Sequence, residues 1–251
     1  MTTIDTRGDA VAQLHTAADN YLTTWRADID GPLPEASRSS IGTATAAIGR
    51  TTAIAREAIR QAQRTDEDDT LFPEGRDRLV RETLDAARAA VADDIATADA
   101  ATTVAGAELY EAAKVPLDRR DATTARQDAL MMLGNAQSTG KEFEVLRRLA
   151  VRQDAIGALV STGWLRDYLT AQGREEDTIA AAEVLVRDGV LRAATAQTAD
   201  PQRRAAAQTA LALPNLIKAR ITAQHSARLT LDSYTTKQQR RSEAIIKSLS
   251  V

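Results

Sequence analysis

The sequence predicts an all-α protein, an elongated multi-helix bundle with one long, alanine-rich helix of about 40 residues. Three observations predict it. Apolar residues recur at steps of three and four through most of the chain, the repeat that lines one helix face. Alanine, the strongest helix former, supplies 50 of the 251 residues. Aromatics are only 3%, with 12 Gly and 6 Pro, too few strand formers and turn residues for a sandwich or barrel.

A first helix runs from about Asp9 to Ala27, with Val11, Leu14, Ala18, Leu22 and Trp25 on one face. Asp30-Gly31-Pro32-Leu33-Pro34 ends it, because proline cannot continue a helix. A second, from about Ser39 to Arg64, carries Ile41, Ile48, Ala55 and Ile59 and leads into the acidic loop Thr65–Thr70. The third has no proline between Pro73 and Pro116 and would reach about 60 Å, unless it breaks near Gly106. Leu84, Val91, Ala98 and Ala105 are seven apart, and Ile95, Thr102 and Leu109 each lie four after the last three of them. Together they form a coiled-coil seam of small residues, interrupted at Arg88.

A fourth helix is expected from about Asp118 to Gln137. Thr139-Gly140-Lys141-Glu142 has the spacing of a capping box and opens a fifth, carrying Leu146, Leu149, Ile156, Val160, Trp164 and Tyr168 and closing at Gly173. A sixth, from about Glu175 to Gln197, turns Ile179, Ala182, Val186 and Val190 inward. Asp200-Pro201 is a start signal for a seventh that reaches about Leu231, with Pro214 as a kink or break. A short eighth spans about Thr235 to Ser250. Trp25 and Trp164, both on apolar faces, read as core anchors.

Charge divides the chain where composition does not. Residues 1–200 hold 23 Lys/Arg against 33 Asp/Glu, a net of -10, and residues 201–251 hold nine against two, a net of +7. An acidic helical body (1–200) is thus followed by a basic C-terminal helical segment (201–251). No apolar run is long enough to span a membrane, and MTTIDTRGDAVAQLHTAADN lacks the basic and apolar regions of a signal peptide, so no membrane partner is expected.

The sequence offers little to catalysis. Having no cysteine excludes thiolate zinc sites, iron–sulfur clusters and a Cys nucleophile. His15 with Asp19, an i, i+4 pair, reads as a surface contact. Ser161 has no base near it in sequence. Gly134–Glu142 imitates a P-loop but is one residue too long, with Glu142 where a magnesium-binding hydroxyl belongs; it reads as a helix–turn–helix connection. In Asp66–Asp77, Leu71 takes the obligatory glycine position of a calcium loop. Asp93-Asp94 and Glu175-Glu176-Asp177 read as helix-surface and helix-start acids. The expectation is no enzyme, no catalytic residue, no metal and no cofactor.

The end of the chain rises above this background. Lys237, Arg240, Arg241 and Lys247 flank Ile245, Ile246 and Leu249, a small basic amphipathic helix and the candidate partner-binding site. It could dock on the chain's own acidic body, on an acidic groove of another protein, or contribute to nucleic-acid binding through 201–251. Leu, Ile, Val and Phe make up only about a fifth of the chain, near the lower limit for a folded core. Self-association or assembly on a partner is therefore expected, and the long seam needs a second helix, from this chain or another, to cover it.

Thr70-Leu71-Phe72-Pro73-Glu74-Gly75-Arg76-Asp77-Arg78-Leu79-Val80 enters the long helix through a proline–acid–glycine–basic turn. This segment resembles small helical proteins of the head-gene region of tailed bacteriophages, over about 40 residues from Thr70 to Leu109. In it Phe72 stands where a small polar N-cap would be expected before Pro73. The resemblance implies a non-enzymatic structural protein of a phage particle, located in the virion or host cytoplasm. It would be oligomeric, contacting itself or other virion and assembly proteins. The alternatives are a head-assembly scaffolding factor and a nucleic-acid-associated helical protein.

Overall fold

The computed structural model describes residues 6–28, 31–138 and 140–235. Among them are nine α-helices and no strand: α1 (Thr6–Asp28), α2 (Glu35–Glu67), α3 (Pro73–Ala113), α4 (Ala122–Gln137), α5 (Glu142–Ala150), α6 (Ala155–Val160), α7 (Trp164–Ala171), α8 (Glu176–Gln197) and α9 (Pro201–Asp232). The all-α class holds, and α3 has the length its proline-free run predicts. The short eighth helix expected over 235–250 lies, after Thr235, outside the described residues.

The buried face of α3 is Val80, Leu84, Ala87, Val91, Ile95, Ala98, Thr102, Ala105, Leu109 and Ala113. All seven seam residues belong to it, at both of their seven-residue spacings. Val80, Val91, Thr102 and Ala113 add an eleven-residue spacing, three turns at close to 3.6 residues per turn. The helix does not break at Gly106, whose carbonyl accepts from Arg187 Nη2 at 3.2 Å. Nor does α9 break at Pro214.

Two compact units form. In the first, α1, α2 from Ser39, α3 through Thr103 and α9 from Pro214 pack together. Ala55, Ala58 and Ala62 of α2 meet Val80, Leu84, Val91 and Ile95 of α3 and Ala227 and Leu231 of α9. The first half of the seam is therefore covered by helices of the same chain. Arg50 pairs with Asp94 at 2.6 Å between α2 and α3, and Arg220 with Asp99 at 3.0 Å between α9 and α3. Arg88 interrupts the seam harmlessly: it points outward to Asp85 at 2.7 Å and Asp232 at 3.3 Å.

The second unit comprises Val104–Leu213 and the α1–α2 connection. Its core gathers Leu133, Leu146, Leu149, Ile156, Val160, Leu165, Leu169, Ile179 and Val186. The single fifth helix of the sequence analysis is three helices, α5, α6 and α7. Asp154 makes the first break: its Oδ1 accepts from the N–H groups of Ile156 and Gly157, both at 3.1 Å, which is an N-cap starting a new helix. Ser161 and Thr162 end α6 by donating to the carbonyls of Ala158 and Leu159, each at 2.7 Å. The apolar spacing survives both breaks because every piece buries the same side, which is why periodicity alone reads one helix.

Thr139, the cap residue of the expected capping box, lies outside the described residues. Lys141 is the N-cap of α5 and makes no side-chain cap bond. Glu142 is buried and its Oε2 accepts from Arg174 Nη2 at 2.5 Å. Gly173 closes α7 as its spacing predicts: φ is +69°, and Arg174 N donates back to Leu169 O at 3.1 Å, the left-handed helix ending that glycine favours.

Among α4–α8 the most extensive contact is α5 against α8. It depends on Gly189, where an added Cβ would stand 2.6 Å from the Cβ of Ala150. Gly189→Ala should overpack this crossing and destabilise by about 1–3 kcal/mol. Gly49→Ala, at an exposed site of α2 with open space around it, should instead stabilise by about 0.5–1 kcal/mol. Asp154→Ala should remove the α6 cap and cost about 0.5–2 kcal/mol. Urea-unfolding midpoints of the three variants check these signs.

Candidate interaction surface

The Ser–His geometry of the first unit is sealed. His15 is not the surface contact its spacing with Asp19 suggests; it is 8% exposed, and Ser226, fully buried, lies 2.8 Å from its Nδ1. Adjacent turns of α1 face different surroundings, and the i, i+4 pair does not reveal which turn faces α9. Burial, reinforced by the charge of Arg56 and opposed by Asp19, holds the His15 pKa below its usual 6.5. No substrate reaches a serine with no exposed surface, so the pair joins α1 to α9.

The carboxylates are engaged in structure. Asp94 binds Arg50, and Asp69 binds Arg76 at 3.1 Å. Glu176 and Glu183 share Arg166, each at 2.8 Å. Asp68 accepts from the Thr70 hydroxyl at 2.6 Å and from its N–H at 2.9 Å, which holds its pKa below the usual carboxylate value. Among the described residues no group of three His, Asp or Glu is placed to hold a metal ion. Gly134–Glu142 is a helix–turn–helix connection between α4 and α5.

Among the described residues, a cavity opens at the surface of each unit. One, about 400 Å³, lies in the second unit between the α6–α7 turn and α8, with Tyr110, Glu183 and Arg187 on its wall. Burial pushes the Tyr110 hydroxyl up to about 12, so it stays neutral at physiological pH. Lys114 Nζ sits 4.5 Å from the ring centre and the Arg187 guanidinium 5.4 Å, leaving the ring a packing platform for two cations.

The other cavity is a groove of about 490 Å³ in the first unit, between α2 and α3. Ile54 and Ala58 form one wall, Leu79, Thr83 and Ala86 the other, with Glu57 and Glu82 on the rim. Leu79 is 38% exposed and Phe72, two turns earlier, is 87% exposed. Phe72 occupies the residue before Pro73, its carbonyl accepting from Arg76 N at 3.0 Å. Its side chain makes no cap and is given almost wholly to water, an unfavourable placement for a large apolar group.

The candidate partner-binding residues Lys237, Arg240, Arg241, Ile245, Ile246, Lys247 and Leu249 lie outside the described residues. Several basic residues of α9 bond within the fold. Arg203 donates to Ala113 O at 3.3 Å and to Gln153 Oε1 at 3.0 Å, and Arg204 to Thr198 O at 2.5 Å. Arg220 holds Asp99, and Arg228 approaches Asp232 at 3.5 Å. The α2/α3 groove was not read from the sequence. Its only signal was Phe72 in place of a polar N-cap, followed seven residues later by Leu79.

The described residues form an all-α helical protein with an open groove between α2 and α3 and a His15–Ser226 pair sealed in its interior. No known family model, curated protein or solved structure matches the chain.

The sealed histidine gives a pH signature. The unfolded chain takes up a proton near 6.5, the folded chain only at lower pH. Stability should therefore fall as pH drops below about 6.5, by at most about 1.4 kcal/mol per pH unit, until the folded imidazole itself titrates. His15→Gln should flatten that part of the curve in urea titrations between about pH 7.5 and 5.5.

Proposed function

We propose that this chain is a non-enzymatic structural protein of a phage particle, acting through helix–helix protein–protein contacts. The observation that carries the contact reading is the exposure of Leu79, on the wall of the α2/α3 groove, and of Phe72, two turns before it on the same side of the chain's path into α3. Large apolar side chains given to water along one helix face suit a docking face that an amphipathic helix covers. The assignment to a phage particle is supported by the resemblance of Thr70–Leu109 to head-region proteins. The engagement of Arg203 and Arg220 within the fold favours protein over nucleic acid as the partner of α9.

The test is made on particles of the phage that carries this gene. The chain should be present at a fixed copy number in washed, mature particles, read by quantitative mass spectrometry. Its loss at maturation would instead mark a scaffolding factor, and its absence at every stage would overturn the reading. Phe72→Ser with Leu79→Ser should leave the helical circular dichroism unchanged. Burial of these two side chains contributes about 1.5–3 kcal/mol each, so incorporation of the double variant should fall more than a hundredfold.

A further inference from the structure

We propose that the chain's own C-terminal segment, residues 236–251, is the resting occupant of the Phe72–Leu79 face, which a partner must displace. The proposal rests on the docking reading of that face and names what covers it before assembly.

The position of the chain's exit argues for it. The described chain ends just after Tyr234, whose hydroxyl donates to Asp66 Oδ2 at 3.3 Å and whose ring packs against the cluster of α2, α3 and α9. Asp66 lies at the end of α2, and Phe72 follows it by six residues. The segment therefore starts at the end of the unit where the groove starts. Ile54 is twelve residues before Asp66 along α2, about 18 Å at 1.5 Å per residue, whereas sixteen residues span about 24 Å even when helical.

Charge and apolar pattern match as well. Residues 64–78 carry Asp66, Glu67, Asp68, Asp69, Glu74 and Asp77 against Arg64, Arg76 and Arg78, a net of -3. Residues 236–251 carry Lys237, Arg240, Arg241 and Lys247 against Glu243, a net of +3. Ile245, Ile246 and Leu249 supply apolar side chains for a groove walled by Ile54, Ala58 and Leu79. Tethering makes the encounter intramolecular, at an effective concentration in the millimolar range for a short linker, so modest intrinsic affinity suffices. An external helix then binds only after displacing the segment, and its apparent affinity is lowered by the fraction of faces already covered.

The absence of cysteine makes a clean test in the full-length chain. Leu79→Cys introduces a single thiol at the groove, and its alkylation rate is measured. Adding Ile245→Ser and Ile246→Ser should raise that rate at least tenfold. Adding Arg240→Glu and Arg241→Glu should raise it at low salt. A separate chain carrying Val184→Cys, in the second unit, should alkylate at the same rate with and without the tail substitutions. An alkylation rate at Leu79→Cys indifferent to the tail substitutions overturns the proposal. Protection that weakens on dilution also overturns it, by showing a second copy's segment in the groove. The two readings fail separately: protected thiols with no chain in particles defeats the assembly reading alone, and particle incorporation with an unprotected thiol defeats the covering segment alone.

Discussion

Close approach between small side chains is the constraint on which this structure depends. Alanine supplies 25 of the 51 buried hydrophobic residues among the described residues. Each removes little apolar area from water, and area is what drives burial. Helices faced with alanine compensate by lying closer together and by running long, so that many small contacts accumulate. The contact of Gly189 with Ala150 is the tightest expression of this, since not even a methyl group fits there. The buried face of α3, with Ala87, Ala98, Ala105 and Ala113 among its members, applies the same rule over 41 residues.

Such cores specify position poorly, because one alanine face fits another in several registers. Polar bonds supply the missing register. His15 to Ser226 fixes α1 against α9, Arg50 to Asp94 fixes α2 against α3, and Glu142 to Arg174 fixes the start of α5 against the residue after the α7 turn. Arg203 bonds at once to the last carbonyl of α3, to Gln153 and to Thr198. It brings positive charge to a helix C-terminus, where the backbone dipole favours it. Buried polar groups are costly when left unpaired, so a shifted register loses these bonds and gains nothing.

The same economy of large side chains isolates the candidate surface. In a chain with only two phenylalanines, one of them, Phe72, stands almost fully in water two turns before Leu79, a residue of the α2/α3 groove. Packing inside the unit is satisfied without it, since Val80, Leu84, Val91 and Ile95 already meet α2 and α9.

Periodicity and punctuation in the sequence determined the helical class, the length of α3, its buried residues, the inward face of α8 and the glycine stop after α7. These are local properties, set by spacing, propensity and the backbone freedom of single residues. Tertiary structure decided the rest. Three short helices replace one because Asp154 caps a new helix while the apolar side stays continuous. His15 is buried because α9 lies against its turn. The first half of the seam is covered because α2 and α9 lie against it. Phe72 and the groove beside Leu79 were visible in sequence only as a misplaced cap, because exposure depends on which faces the other helices leave open, and no single segment carries that information.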